Sequence, residues 1–306
     1  MQQTTAILAG PSKTVVQSMT HSFDQSPGSR TVFQDAPTRS VDVGGTAFVY
    51  RELGPKTGVP VILLNHLGAQ LDNFDPRIVD GLAATRRVIA FDNRGVGASG
   101  GKTPSTVSEM ARDAVAFIRA LGFEEVDLFG FSLGGFVAQE IVLTEPELVR
   151  KLILSGTGPA GGVGIDKVTP LTIVDMIKGA LTFRDPKYYL FFTTTPNGRH
   201  AANAFLERLK ERRTNRDKAI SLSAFGAQLK AIKAYGLQVP QDLSVIRIPT
   251  LVANGDQDRM VPSSNTHDLA RRIRGAQLVI YEDAGHGGIF QNYSDFVSKA
   301  LAFLGA

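Results

Sequence analysis

The sequence predicts an α/β fold: a mostly parallel eight-stranded sheet with helices on both faces and a helical cap inserted after the sixth strand. Three observations lead there. Short, continuous apolar runs recur, as in strands buried on both faces. Segments of helical periodicity lie between them, which is the pattern of a parallel sheet covered by helices. The alternation then stops from about 157 to 236, where helical segments follow one another.

In chain order, "TRSVDVGGTAFVYREL" alternates around Gly44-Gly45 and reads as a hairpin, giving the first two strands. "VPVILLN" (59–65), "RRVIAFD" (86–92), "VDLFGF" (126–131) and "VRKLILSG" (149–156) are the next four. "PTLVANG" (249–255) and "AQLVIYED" (276–283) complete the set. In "SEMARDAVAFIRALG" the residues Met110, Ala114, Phe117, Ile118 and Leu121 share one helical stripe. "LGGFVAQEIVLTEP", "SNTHDLARRI" and the C-terminal "GIFQNYSDFVSKALAFL" are also helical patterns. Between 157 and 236, "LTIVDMIKGALTF", "DPKYYLFF", "AANAFLERLKERR" and "KAISLSAFGAQLKAIKAYG" read as cap helices. Such an insertion lies over the carboxyl ends of the strands, where ligands bind, and its "YYLFF" and Phe183 are candidates to line an apolar pocket. The expected organisation is thus a loosely ordered extension over 1–38, a core of 39–156 and 237–306, and a cap of 157–236. Met19 is a second candidate start.

The chain has 306 residues, 43% hydrophobic and 20% charged, an ordinary globular balance. No apolar run reaches the roughly 18 residues of a membrane span, and the N-terminus lacks the features of a signal peptide. There is no cysteine, which removes thiolate chemistry and fits a cytoplasmic, reducing setting. Net charge is +4, but Lys178 to Lys233 holds twelve Lys/Arg against four Asp/Glu. Basic and apolar residues interleave there at helical spacing, which reads as a solvated helical face rather than a nucleic-acid surface. Where that charge faces an entrance, it would draw in anions.

Two glycine-rich turns compete for the chemistry. "GVGASG" (95–100) matches G-x-G-x-x-G, but Pro104 and the polar "GGKTPST" delay the following helix, so no amide cluster faces a pyrophosphate. A phosphate-binding loop ending at Gly101-Lys102-Thr103 needs glycine at 96, and Val96 stands there. "GFSLG" is G-x-S-x-G between an apolar strand and a helix. That turn strains the serine and lifts the Ser132 hydroxyl above the sheet, beside the positive end of a helix. A nucleophilic serine needs a base, and the base needs an orienting carboxylate. Of the histidines at 21, 66, 200, 267 and 286, only His286 lies in a Gly-rich loop after the last strand, "EDAGHGGIF", able to reach the sheet's carboxyl edge. The acid is Asp256 or Asp258 of "NGDQDRMVP".

These residues, with "LLNHLG" and "FDNRGVGAS", make the chain resemble the α/β-hydrolase superfamily over 39–156 and 237–306. Within it the chain is similar to the branch of 3-oxoadipate enol-lactonases, small esterases and cofactor-free haloperoxidases. The resemblance implies Asp258, three residues after the strand-ending glycine, as the acid. It implies the backbone amides of Leu67 and Leu133 as oxyanion donors, although His66 stands where the family usually has glycine. His66 is a candidate substrate contact; its other reading is structural, hydrogen-bonded beneath the loop. Arg94 and its neighbouring glycines match a structural turn of the family.

The expected activity is hydrolysis of a small-molecule ester or lactone through an acyl-enzyme on Ser132, with no cofactor, metal, nucleic-acid or membrane partner; the oligomeric state stays open. Perhydrolysis, cleavage of C–C bonds in ring-opened aromatic acids, and a small-molecule receptor with slow turnover are the rival readings. Dehalogenase and epoxide hydrolase chemistry is disfavoured, because those families place aspartate where Ser132 stands.

Overall fold

The computed structural model describes Met1 and residues 31–305. Met19, and residues 2–30 of the expected extension as a whole, lie outside the described residues. Within residues 31–38 the chain packs at two points. Phe33 and Ala36 are buried, and Phe33 N donates to Asp80 Oδ1 at 2.7 Å. Thr31–Ala306 form one compact unit that includes the inserted helices.

Eight strands form one sheet. β1 (Arg39–Val43) and β2 (Thr46–Leu53) make the antiparallel hairpin. The others are β3 (Val61–Leu64), β4 (Val88–Phe91), β5 (Val126–Phe131), β6 (Val149–Ser155), β7 (Thr250–Gly255) and β8 (Gln277–Tyr281). The order is β1-β2-β4-β3-β5-β6-β7-β8, and every pair from β4 onward is parallel. Every residue of β3, β4, β5 and β7 is buried, which is why those runs are continuously apolar rather than alternating.

The chain leaves β3 outward to β4, then crosses back to β5 on the other side of β3. That reversal opens a crevice at the carboxyl ends of β3 and β5, the usual ligand position in such sheets. Helix α1 (Pro76–Leu82), absent from the sequence reading, follows β3; α2 (Val107–Ala120) and α3 (Leu133–Thr144) follow β4 and β5. α2 starts only after the polar stretch, with Thr106 as its N-cap. Between β6 and β7 come α4 (Val168–Thr182), α5 (Lys187–Leu190), α6 (Pro196–Arg208) and α7 (Leu222–Gly236). α8 (Ser263–Arg272) follows β7. The C-terminal pattern divides into α9 (Gly288–Gln291) and α10 (Tyr293–Leu304).

The basic character of the insertion is only partly a solvated face. Arg208 and Arg212 are turned inward. Arg208 grips the buried Asp75 carboxylate through Nε and Nη2, at 3.0 and 2.6 Å. Arg212 and Arg216 lie 3.9 and 3.6 Å from Asp72, which is buried on Arg51 as well. Three cations of the insertion thus meet acids just before α1 across the contact.

Candidate active site

Ser132 stands between β5 and α3 with φ 56° and ψ −119°, a strained conformation for a residue with a Cβ. Its own peptide fixes it there. Ser132 N donates to Ser155 O at 2.9 Å, and its carbonyl accepts from Thr157 Oγ1 at 3.0 Å and Gly135 N at 2.8 Å. The flanking glycines are required by contact. A Cβ on Gly130 would lie 2.5 Å from Gly134 O, and one on Gly134 only 2.0 Å from Leu64 O. Strand β3, the turn and α3 are therefore in backbone contact.

His286 is buried in the loop after β8, against the rings of Phe131 and Phe191. Its Nδ1 lies 2.7 Å from Asp258 Oδ2. The carboxylate can only accept, so Nδ1 carries a proton, and in the neutral ring the basic atom is Nε2. Among the described residues Nε2 has no hydrogen-bond partner. Asp258 is saturated: Oδ2 also accepts from Asn254 Nδ2 at 3.0 Å, and Oδ1 accepts from Met260 N and Val261 N at 2.8 and 3.0 Å. Asp256, by contrast, is exposed, and its Oδ1 accepts from Ala284 N at 3.2 Å, capping the loop that holds His286.

The loop after β3 folds over the same edge. His66 is buried between Phe131 and Phe191, and its Nδ1–H donates to Leu67 O at 2.8 Å. Burial, reinforced by the nearby Lys187 cation, lowers its pKa to about 3, so it stays neutral at any ordinary pH. Gly68 N donates to Gln228 Oε1 of α7 at 2.7 Å. The amides of Leu67 and Leu133 have no acceptor among the described residues.

Ser132, His66, Leu67 and Gly68 share a cavity of about 320 Å³ with Thr172 and Met176 of α4, Leu190 and Phe191, Leu222 and Phe225 of α7, and Met260. Its walls are mainly apolar; Asp185 and Lys187 add one ion pair, at 3.0 Å. Of the expected aromatic lining, Phe191 takes part and Tyr188 and Phe192 are core. Phe183 is 99% exposed and does not line it, a correction. His200 and His267 are exposed, and His21 lies outside the described residues. The sequence reading missed Gln228, Phe225, Asn254 and Lys187. Only their positions in the insertion or at a strand end signalled them.

This arrangement can bind an apolar group beside a hydroxyl, an imidazole and two free amides. It sits on a sheet whose class the comparisons name. The chain belongs to the alpha/beta hydrolase fold family, whose model matches residues 59–293. It is similar to an alpha/beta hydrolase fold protein from Chitinophaga pinensis, at 38% identity with a TM-score of 0.85, over 90% of this chain and all of that one. It resembles the enol-lactonase of Burkholderia xenovorans in fold, at 21% identity with a TM-score of 0.72, over 88% of this chain and all of that one. It is also similar to a non-heme chloroperoxidase of Streptomyces lividans, 29% identical over 85% of this chain and 96% of that protein.

Proposed function

We propose that the protein is a serine hydrolase that cleaves a small-molecule carboxylic ester or lactone through an acyl-enzyme on Ser132. The observation that carries this reading is the His286–Asp258 pair. Its 2.7 Å bond leaves Nε2 as a free base in the loop that packs on Phe131, the residue before Ser132. The strained serine lines an apolar cavity between the core and the segment 157–236, which acts as the cap.

Ser132 Oγ attacks the carbonyl carbon, and His286 Nε2 takes the hydroxyl proton. The imidazolium so formed is held by Asp258. Negative charge moves to the carbonyl oxygen, where the amides of Leu67 and Leu133 receive it; each such donor is worth about 3 kcal/mol of barrier. Collapse expels the alcohol, protonated by His286, and leaves the acyl ester on Ser132. Water, giving its proton to the same Nε2, attacks the acyl carbon; collapse breaks the bond to Ser132 Oγ, which takes that proton from Nε2, and the acid leaves. The lining favours an uncharged acyl group, with Lys187 already occupied by Asp185. The lack of cysteine fits a cytoplasmic enzyme.

A panel of p-nitrophenyl esters and lactones, run on wild type and Ser132→Ala, tests the reading. Ester turnover is expected to fall by about 10⁴-fold or more with the melting temperature kept. Wild-type rates in the variant would remove Ser132 as the nucleophile.

A further inference from the structure

Helix α4 is inside out. The side it turns to the protein is Val168, Thr172, Asp175 and Gly179, spaced as one helical stripe but largely polar or small. The opposite side is apolar: Ile173, Val174, Ile177 and Leu181 are 48–76% exposed, beside Met176. Phe183, which ends the helix, is fully exposed and held at φ 54°, an unfavourable conformation for a bulky residue. Leu222 of α7 is 88% exposed as well. A surface helix normally buries its apolar stripe. Here an ion pair anchors the polar side, the buried Asp175 carboxylate with the half-exposed Arg259 of the loop after β7, so the apolar side is turned outward.

We propose that a second copy of this chain covers the outer face of α4. These side chains together expose on the order of 800 Å², about what each partner contributes to a standard stable interface, and beyond the patches usual on a monomer. Two of the flanking cations are drawn against rings rather than ranged along the stripe, as they would be on a helix lying on an anionic membrane. Lys178 Nζ sits 4.2 Å from the centre of the Tyr189 ring, and the Arg184 guanidinium 4.4 Å from that of Tyr188. With Lys178 and Arg184 folded aside, the middle and C-terminal part of the face is apolar and suited to pairing with itself around a two-fold axis.

The face is continuous with the cavity. Met176 and Leu222, both exposed, also line the space above Ser132. The outer wall of the cavity is therefore open in one chain, and a copy seated on α4 completes it. This consequence for catalysis rests on the hydrolase reading; the pairing itself does not.

The test compares the full-length wild type with an Ile177→Glu/Leu181→Glu double variant by light scattering on a sizing column at about 50 µM chain. Wild type is expected at twice 32.9 kDa and the variant at 32.9 kDa, with the same circular dichroism. For a long-chain ester, the variant's kcat/KM is expected about tenfold lower, with a smaller loss for the acetate. Val174→Lys gives the same mass comparison should the double variant fail to fold. Wild type at a single-chain mass overturns the proposal, and so does a variant that keeps the double mass. A single-chain wild type whose rate jumps once the ester passes its solubility limit also overturns it, assigning the face to apolar aggregates. A wild-type dimer that cleaves no ester refutes the hydrolase reading and leaves the pairing standing.

Discussion

Gly68 N–H donates to Gln228 Oε1 at 2.7 Å, so the loop after β3 is tied directly to α7 of the inserted helices. The adjacent residue is Leu67, whose amide is free. Gly68 holds φ +76°, and a Cβ there would lie 3.0 Å from the Phe225 ring, so α7 also shapes the loop sterically. The insertion thus does more than roof the cavity. It fixes the direction of the amide proposed to meet the oxyanion.

Gln228→Leu should leave the Gly68 amide without a partner and let the loop drift. A lost buried hydrogen bond costs about 1–3 kcal/mol. We expect kcat to fall at least tenfold while KM changes little, because the affected contact forms in the transition state. Steady-state kinetics on one activated ester decide it. A change confined to KM would mean that Gln228 shapes binding and not the oxyanion loop.

The two aspartates of the β7 loop separate clearly. Asp258 accepts four hydrogen bonds, one of them from His286. In Asp258→Asn an amide N–H can face Nδ1, favouring the wrong tautomer, and turnover should drop about 10⁴-fold at neutral pH. Asp256→Asn keeps an oxygen for Ala284 N and should stay within several-fold of wild type. The opposite ranking would place the orienting carboxylate at Asp256.

Much of this was legible in the sequence, for identifiable reasons. Strands buried on both faces leave continuous apolar runs, so β3 to β7 could be read directly. The serine turn showed itself because Gly130 and Gly134 are forced by backbone contact, and such contacts leave a fixed spacing. Short α1 was missed, its seven residues offering two turns of periodicity. The charges of the insertion read as solvated because a helical spacing cannot tell which cations find acids elsewhere. Arg208 and Asp75 are 133 residues apart. Gln228 and Asn254 act through single polar atoms, which leave no pattern at all.

Asp92 follows β4 beneath the same loop. Its Oδ1 accepts from Leu71 N at 2.8 Å, Ala98 N approaches Oδ2, and the Asp217 carboxyl of the insertion faces it. Asp72, paired with Arg51, lies beside them, its Oδ2 accepting from Asp217 N. Burial, then the bond to Asp217, raises the Asp92 pKa well above the usual carboxylate range. A raised carboxyl pKa means that the fold favours the neutral acid. The stability this provides is complete below the unfolded pKa, about 3.9, and is lost as pH rises through the folded value. Asp92→Asn keeps the neutral shape at every pH. Its melting temperature should exceed that of wild type at pH 8, by about 2–4 °C for each kcal/mol recovered, and the gap should close toward pH 4. A gap independent of pH would show that Asp92 is not neutral in the fold.

The charge of the insertion bears on substrate capture. Twelve cations against four acids suggest a field that draws anions. The structure turns part of that charge to acids away from the cavity. Arg208 is committed to Asp75, and Arg212 and Arg216 lie against Asp72. Of the cavity lining only Lys187 is cationic, and its Nζ reaches both oxygens of Asp185, at 3.1 and 3.0 Å. A cation so paired offers an entering carboxylate little net charge, and the carboxylate must also give up its hydration. A carboxylate-bearing ester and its neutral isostere, compared at about 0.02 and 0.5 M salt, where screening lengths run from roughly 20 to 4 Å, should therefore show the neutral ester preferred. Their kcat/KM ratio should move less than about twofold with salt, since long-range steering is what salt removes. A preference for the anion that fades at high salt would mean that Lys187 leaves Asp185 to receive the substrate. Lys187→Met would then abolish that preference while sparing the neutral ester.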